Sequence, residues 1–241
     1  MIWMQCKAES LRIIRNPYYL FWSLFMPVLF YFIYTNVFKV NDTTVWKAHF
    51  LMSMATFSVM GSSIMTMGIR LVQERAEGWA KFMRITPLPY SIYFFSKIVG
   101  QSVVHILSIV VIFAAGILIN GVTMSAGQWV MSGIWILLGS LPFLGLGALV
   151  GTMKRVDTAS GVSNVIYLAL AFMGGMWMPM DVLPKVFQSI SHGLPSYYYG
   201  SGAWEIIRGE SPSLLSIMIL LGYLFLFTVL SGYIRRKQEA I

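Results

Sequence analysis

Long apolar runs alternate with short polar interruptions along this chain, and the lengths of the runs predict its elements. Six runs, Leu20–Phe38, His49–Ile69, Ile98–Ile119, Trp129–Val150, Val162–Met178 and Leu214–Tyr233, contain no Asp, Glu, Lys or Arg. A helix needs about 20 residues to cross a hydrocarbon core of ~30 Å. A charge near the centre of that core costs at least ~2.5 kcal/mol. A membrane-spanning barrel would instead show alternating segments of about ten residues, and none occurs. The pattern predicts an all-α integral membrane fold with six transmembrane helices, forming a single membrane domain over residues 1–241.

Three segments outside the runs carry a different pattern. In 1–17, helical spacing places Trp3, Cys6, Ser10, Ile13, Ile14 and Pro17 on one face and Gln5, Glu9, Arg12 and Asn16 opposite, with Leu11 off the apolar face. This predicts an amphipathic helix lying at the inner membrane interface. It is either a plain surface anchor or an elbow that touches a soluble partner. In 70–90, a polar helix is expected to continue from the second span to Gly78, where glycine can end it. A second amphipathic piece, Trp79–Ile85, stops at Thr86-Pro87, because the residue before proline avoids helical geometry. Trp79, Phe82 and Met83 call for a surface to bury against, either the membrane interface or a docked subunit. In 179–210, Pro179, Pro184 and Pro195 divide a stretch apolar enough to enter the bilayer but too short to cross it. Short outer re-entrant helices are expected there. Pro184, Pro195, Tyr197 and Trp204 are candidates for an outer gate, with a simple cap on the bundle as the other reading.

Composition agrees with the pattern. The chain is 57% hydrophobic and 11% charged, against about 25% charged in average soluble domains. The formal charge of +8 would suggest a nucleic acid partner in a soluble protein. Here it follows from membrane orientation. With the N-terminus inside, the inner segments hold 13 of the 17 basic residues and the outer loops hold Lys39, Lys47, Lys185 and Arg208. The positive-inside rule then places both termini in the cytoplasm of a multi-pass cell-membrane protein. Trp22, Trp46, Trp129, Trp177, Tyr18, Tyr19 and Tyr233 flank the runs as an interfacial belt would. Lys7, Arg12 and Arg15 precede the first run, but that run is too long for a signal peptide and Asn36-Val37-Phe38-Lys39 is a poor cleavage site. The first segment is expected to stay as an anchor.

Catalytic and metal chemistry find little support. Cys6 is the lone cysteine, so no disulfide can form within the chain, and three scattered histidines make no ligand cluster. A six-span intramembrane enzyme, such as a rhomboid-like serine protease, needs a serine with a histidine in reach. Gly61-Ser-Ser63 lacks the following glycine of such motifs, Ala159-Ser-Gly-Val-Ser163 lies at a cytosolic end, and His105 sits far along another span. A channel or ion-coupled carrier would use intramembrane carboxylates or charged rings, which the runs lack. His105 is read as a packed, hydrogen-bonded residue. Gly147 and Gly151, after Gly139 and Gly145, form a small-residue stripe for close helix packing, within one subunit or between two. Pro27 and Pro142 are expected to kink their spans.

Six spans with these three accessory pieces, in this order over nearly the whole chain, resemble the ABC-2 permeases, the membrane subunits of type-2 ATP-binding cassette exporters. The resemblance rests on the N-terminal amphipathic helix, on Glu74, Arg75, Glu77, Gly78, Thr86 and Pro87 between spans two and three, and on the Pro-rich, aromatic stretch Pro179–Arg208. It implies that 70–90 is a coupling segment, with Glu74, Arg75, Glu77, Lys81 and Arg84 for ionic contacts and Trp79 and Phe82 as an apolar anchor. It implies a cytosolic ATP-binding cassette subunit that carries ATP and Mg, and a second permease, identical or paralogous. No Gly-x-x-x-x-Gly-Lys-Ser/Thr loop occurs, so no cofactor is expected on this chain. The Phe, Met, Leu and Trp content suggests a hydrophobic or amphiphilic cargo, such as a lipid, drug or peptide antibiotic, moved among membrane lipids.

Overall fold

The computed structural model describes residues 2–38, 43–79, 89–178, 180 and 184–239, and those residues contain no strand. Among the described residues ten helices follow in order: α1 (Ile2–Ile14), α2 (Pro17–Val37), α3 (Thr44–Ala76), α4 (Tyr90–Asn120), α5 (Ala126–Gly139), α6 (Leu141–Val150), α7 (Val156–Met173), α8 (Lys185–Ser191), α9 (Pro195–Ile207) and α10 (Leu214–Glu239). The six expected spans are α2, α3, α4, α5 with α6, α7 and α10, each long and apolar enough to cross a membrane.

Local chemistry sets the boundaries. Asn16 caps α2 by accepting from the Tyr19 N–H, and Pro17 follows at the first helical position, where its missing N–H costs nothing. Thr43 caps α3 through the Trp46 N–H. Ser125 and Gln128 form a reciprocal capping box at α5. Gly121 ends α4 at φ +58°, which only glycine adopts without strain. Pro184 and Pro195 open α8 and α9. The fourth run breaks at Ser140, with Pro142 in the first turn of α6, whereas α2 continues through Pro27.

The helices overrun the apolar segments. α3 continues past Ile69 to Ala76, and α4 begins at Tyr90, ahead of Ile98. Hydropathy marks where lipid would lie, but a backbone can keep its helical hydrogen bonds beyond that point. These polar extensions carry Arg70, Glu74, Tyr93 and Lys97 into the end of the bundle.

α3 is the central helix: every residue from Phe50 to Ile64 is buried. α2, α4, α5, α7 and α9 surround it, α6 packs on its middle, and α10 lies on α6. Its helix widens to π geometry at Ser62–Thr66, where α6 crosses. Gly147 and Gly151 serve this crossing within the chain, while Gly139 faces α9 and Gly145 faces α10. A Cβ on Gly147 would lie 2.4 Å from the Ser63 carbonyl oxygen, and one on Gly151 would lie 2.7 Å from Leu71. Backbone cannot move aside cheaply, so Gly147→Val is expected to destabilise by about 1–3 kcal/mol. A thermal melt in detergent checks this, with Gly222→Val, which faces open space, expected to melt like the parent.

Candidate functional site

Three helices bring charge to one buried point. Glu9 and Arg12 lie one turn apart on α1, Arg70 and Glu74 one turn apart on α3, and Tyr93 and Lys97 one turn apart on α4. Residues three or four apart share a helix face, so each pair points inward together. The Lys97 Nζ donates to Glu9 Oε1 at 2.7 Å and to Glu74 Oε1. The Tyr93 hydroxyl donates to the other oxygen of Glu74. Arg12 Nη1 donates to Glu74 Oε1 at 2.7 Å, and Arg70 Nη2 to Glu9 Oε2 at 3.3 Å. Glu9, Glu74 and Lys97 are 6%, 3% and 4% exposed. Buried charges survive only when paired and hydrogen-bonded, and here both carboxylates are matched on both oxygens. A Cβ on Gly100 of α4 would stand 3.3 Å from Glu9 Cβ and Ile13 Cδ1, so its absence lets α1 lie close.

The cluster corrects the place expected for Glu9: it is buried together with Cys6 and Ile13 of the apolar face, while Trp3 and Ile14 of that face point away from the bundle. Spacing assigned Glu9 to the polar face because its partners, Lys97 and Arg70, belong to other helices.

Residues 74–79, grouped by sequence as one coupling motif, divide into two kinds. Glu74 is internal. Arg75 is exposed yet engaged: it donates to the carbonyls of Gly151 at 2.6 Å, Thr152 at 3.2 Å and Met153 at 3.4 Å, closing the carboxyl end of α6. Gln238 of α10 joins it by donating to the Thr152 carbonyl at 2.9 Å. Arg12 and Gln238 therefore place both chain ends at the same end of the bundle. Glu77, Gly78 at φ +83° and Trp79 come next, with Glu77 and Trp79 exposed. Lys81, Phe82, Arg84, Thr86 and Pro87 lie outside the described residues.

Beside the cluster, a groove of about 760 Å³ runs between α1–α2 and α3. Arg12, Asn16, Arg70, Gln73, Glu74 and Glu77 line one end, Trp22, Met26, Pro27, Phe57 and Tyr167 line the other, and Met65 lies between them. The Tyr19 hydroxyl and Thr66 Oγ1, 2.8 Å apart, tie its two walls.

The opposite end of the bundle is closed by α8 and α9. Trp204 Nε1 donates to Ser53 Oγ at 3.0 Å, and its indole stacks on His49 with centroids 4.5 Å apart. Trp135 Nε1 donates to the Tyr199 carbonyl at 2.9 Å, and the Tyr199 hydroxyl to the Ile136 carbonyl at 2.8 Å. Pro195 is buried, Pro184 is exposed, and Tyr197 sits edge-on to His192 at 4.8 Å. Of the four gate candidates, Trp204 makes the deepest contact with a span.

His105 is packed and hydrogen-bonded, in line with its reading from the sequence. Its Nε2 lies 3.1 Å from Ser63 Oγ and its Nδ1 3.2 Å from Ser140 Oγ, joining α4 to α3 and to the α5–α6 break. His105 and Ser63 are fully buried, and the second imidazole nitrogen meets a hydroxyl rather than a carboxylate. A hydrolytic triad needs an orienting acid and a nucleophile open to substrate, so this arrangement serves as a packed tie.

Of the cluster, sequence reasoning singled out Glu74 and missed Glu9, Arg12, Arg70, Tyr93 and Lys97. The single signal available was an acid on an amphipathic helix and a lysine at the edge of an apolar run, and neither marks a partner.

Comparison with known proteins agrees with this architecture. The ABC-2 type transporter family matches residues 2–207. A Bacillus subtilis (strain 168) protein named "Putative transport permease YvfS" is 57% identical over 239 residues, covering 98% of each chain. With its six candidate spans, its charge-tied N-terminal helix and this match over most of its length, the chain belongs to the ABC-2 type transporter family.

Proposed function

We propose that this chain is the permease subunit of an ATP-binding cassette exporter, working with a second permease and driven by a separate cytosolic ATPase that holds ATP and Mg. In this reading the bundle end that carries both termini faces the cytoplasm, as the distribution of basic residues favours. The observation that carries the proposal is the charge cluster. It fastens α1, α3 and α4 together one turn ahead of Gly78 and the exposed Glu77 and Trp79, so a push there moves three helices as a unit. The partner contacts Glu77, Trp79 and the stretch through Pro87, while Glu74 and Arg75 position that stretch from within. A nucleotide-driven shift requires contacts that differ between the two states, and an exposed segment on a rigid base supplies them. The cargo is hydrophobic or amphiphilic, and α8 and α9 close its outer exit.

Reconstitution with a cassette ATPase tests this. Trp79→Ala with Glu77→Lys is expected to cut permease-dependent stimulation of ATP hydrolysis by about tenfold, the loss of roughly 1.4 kcal/mol of contact, without changing the melting temperature. Full stimulation in that variant would remove the docking role. In a Cys6→Ser background, a cysteine at position 79 should label only from the inside and one at position 209 only from the outside.

A further inference from the structure

We propose that the groove between α1–α2 and α3 binds an amphiphile with a zwitterionic headgroup, taken from the inner leaflet of the membrane. This deepens the transport reading and rests on its assignment of the terminal end to the cytoplasm.

The geometry of the groove sets the class of ligand. Arg70 and Phe57 lie on the same helix near opposite ends of it. At 1.5 Å per residue they are about 20 Å apart. Half of a hydrocarbon core is about 15 Å, so the groove spans one leaflet and reaches into the headgroup layer. Its inner end is formed by Trp22, Met26, Phe57 and Tyr167, surfaces suited to an alkyl chain. Its volume falls within the usual range for ligand pockets, about 300–1,000 Å³.

Charge then selects the headgroup. Two guanidiniums, Arg12 and Arg70, line the polar end; Arg12 pairs with Glu74 and more distantly with Glu9, Arg70 pairs with Glu9, and each guanidinium carries five N–H donors. Guanidinium forks match phosphate oxygens. With Lys97, they outnumber Glu9 and Glu74 by three to two. The exposed carboxylate of Glu77 lines the same mouth and brings the net charge of the group to zero. A simple anion would meet Glu77, and a simple cation would meet Arg12 and Arg70. A phosphate joined to a quaternary or primary amine satisfies both. Tyr18 and Tyr19, next along α2 from Asn16, also line the groove and offer ring faces for the amine.

Three probes that share a hexadecyl chain test this on the purified permease alone. They are hexadecylphosphocholine, hexadecyl phosphate and hexadecyltrimethylammonium, titrated against tryptophan fluorescence in a maltoside detergent. The zwitterionic probe is expected to bind at least tenfold tighter than either ion. Glu77→Gln should remove its advantage over hexadecyl phosphate, and Met65→Trp, which narrows the groove between its two ends, should weaken all three. Equal or tighter binding of a singly charged probe overturns the proposal. So does unchanged binding in Met65→Trp, or a Met65→Trp variant that splits a dimer without altering binding, since the groove would then hold a second copy. No ATPase is present in this assay. A negative result therefore leaves the coupling reading intact, and loss of ATPase stimulation in the earlier test leaves the ligand assignment intact.

Discussion

Lys97→Met is expected to destabilise the protein by about 3–5 kcal/mol, the usual cost of leaving buried charge without its partner. Lys97 bridges both carboxylates from inside the cluster, whereas Arg12, about half exposed, holds Glu74 at 2.7 Å but reaches Glu9 only at 3.9 Å. Without it, Glu9 and Glu74 face each other in a site almost closed to solvent. Arg12 and Arg70 stay at the edge, and the carboxylate oxygens that Lys97 held lose its donation. The thermal melt in detergent should fall, and hydrogen exchange should rise across Ile2–Ile14 as α1 loosens from α4. Adding Glu74→Gln to Lys97→Met should restore part of the loss, because the base and one acid then leave together. That rescue separates electrostatics from packing: methionine fills most of the lysine volume, so a packing defect would not respond to a change on α3. The double variant should still stimulate a partner ATPase poorly, since α3 and α4 would no longer move as one. A Lys97→Met melt equal to the parent would mean that the cluster is not closed to water.

Trp204→Ala is expected to have an effect of similar size, about 3–5 kcal/mol for removing a large buried aromatic. Trp204 is 7% exposed, lies over His49 and reaches Ser53 of α3. Trp204→Phe keeps a ring against His49 and gives up the indole donor, so its cost should be nearer 1 kcal/mol. Ser53 keeps a partner in both cases, because its hydroxyl donates to the His49 carbonyl. Local hydrogen exchange over Pro195–Ile207 should increase strongly in the alanine variant and little in the phenylalanine variant. Equal losses would assign the anchor to the hydrogen bond rather than to packing. If α9 closes the outer exit, Trp204→Ala should also raise the leak of an amphiphilic dye from vesicles, without nucleotide.

Much of the bundle was legible from runs of side chains that water disfavours. Val162–Met178 became α7 with a shift of a few residues, and Leu214–Tyr233 became α10 with a polar extension. The N-terminal helix was legible too, but its orientation was not. An amphipathic pattern ranks faces by their affinity for water, and it assigns Glu9 outward by default. The same limit explains the motif at 74–79. Glu74, Arg75 and Glu77 are equally polar, and polarity alone does not distinguish an internal pair, a helix-end cap and a free contact. His105 shows the reverse case: its serine partners come from residues 63 and 140, distances along the chain that no local pattern bridges.

By itself, the sequence determined that the chain is helical and membrane-spanning and about where its six spans lie. Those properties follow from the solvent preference and backbone geometry of neighbouring residues. Tertiary structure alone decided that Glu9, Arg12, Arg70, Glu74, Tyr93 and Lys97 meet, that Gly147 serves the crossing of α6 over α3, and that a groove opens beside α2. The physical reason is range. Solvent transfer and helix capping act within a few residues, whereas the sign and burial of a charge become chemistry only once another helix brings its counterpart within hydrogen-bond distance.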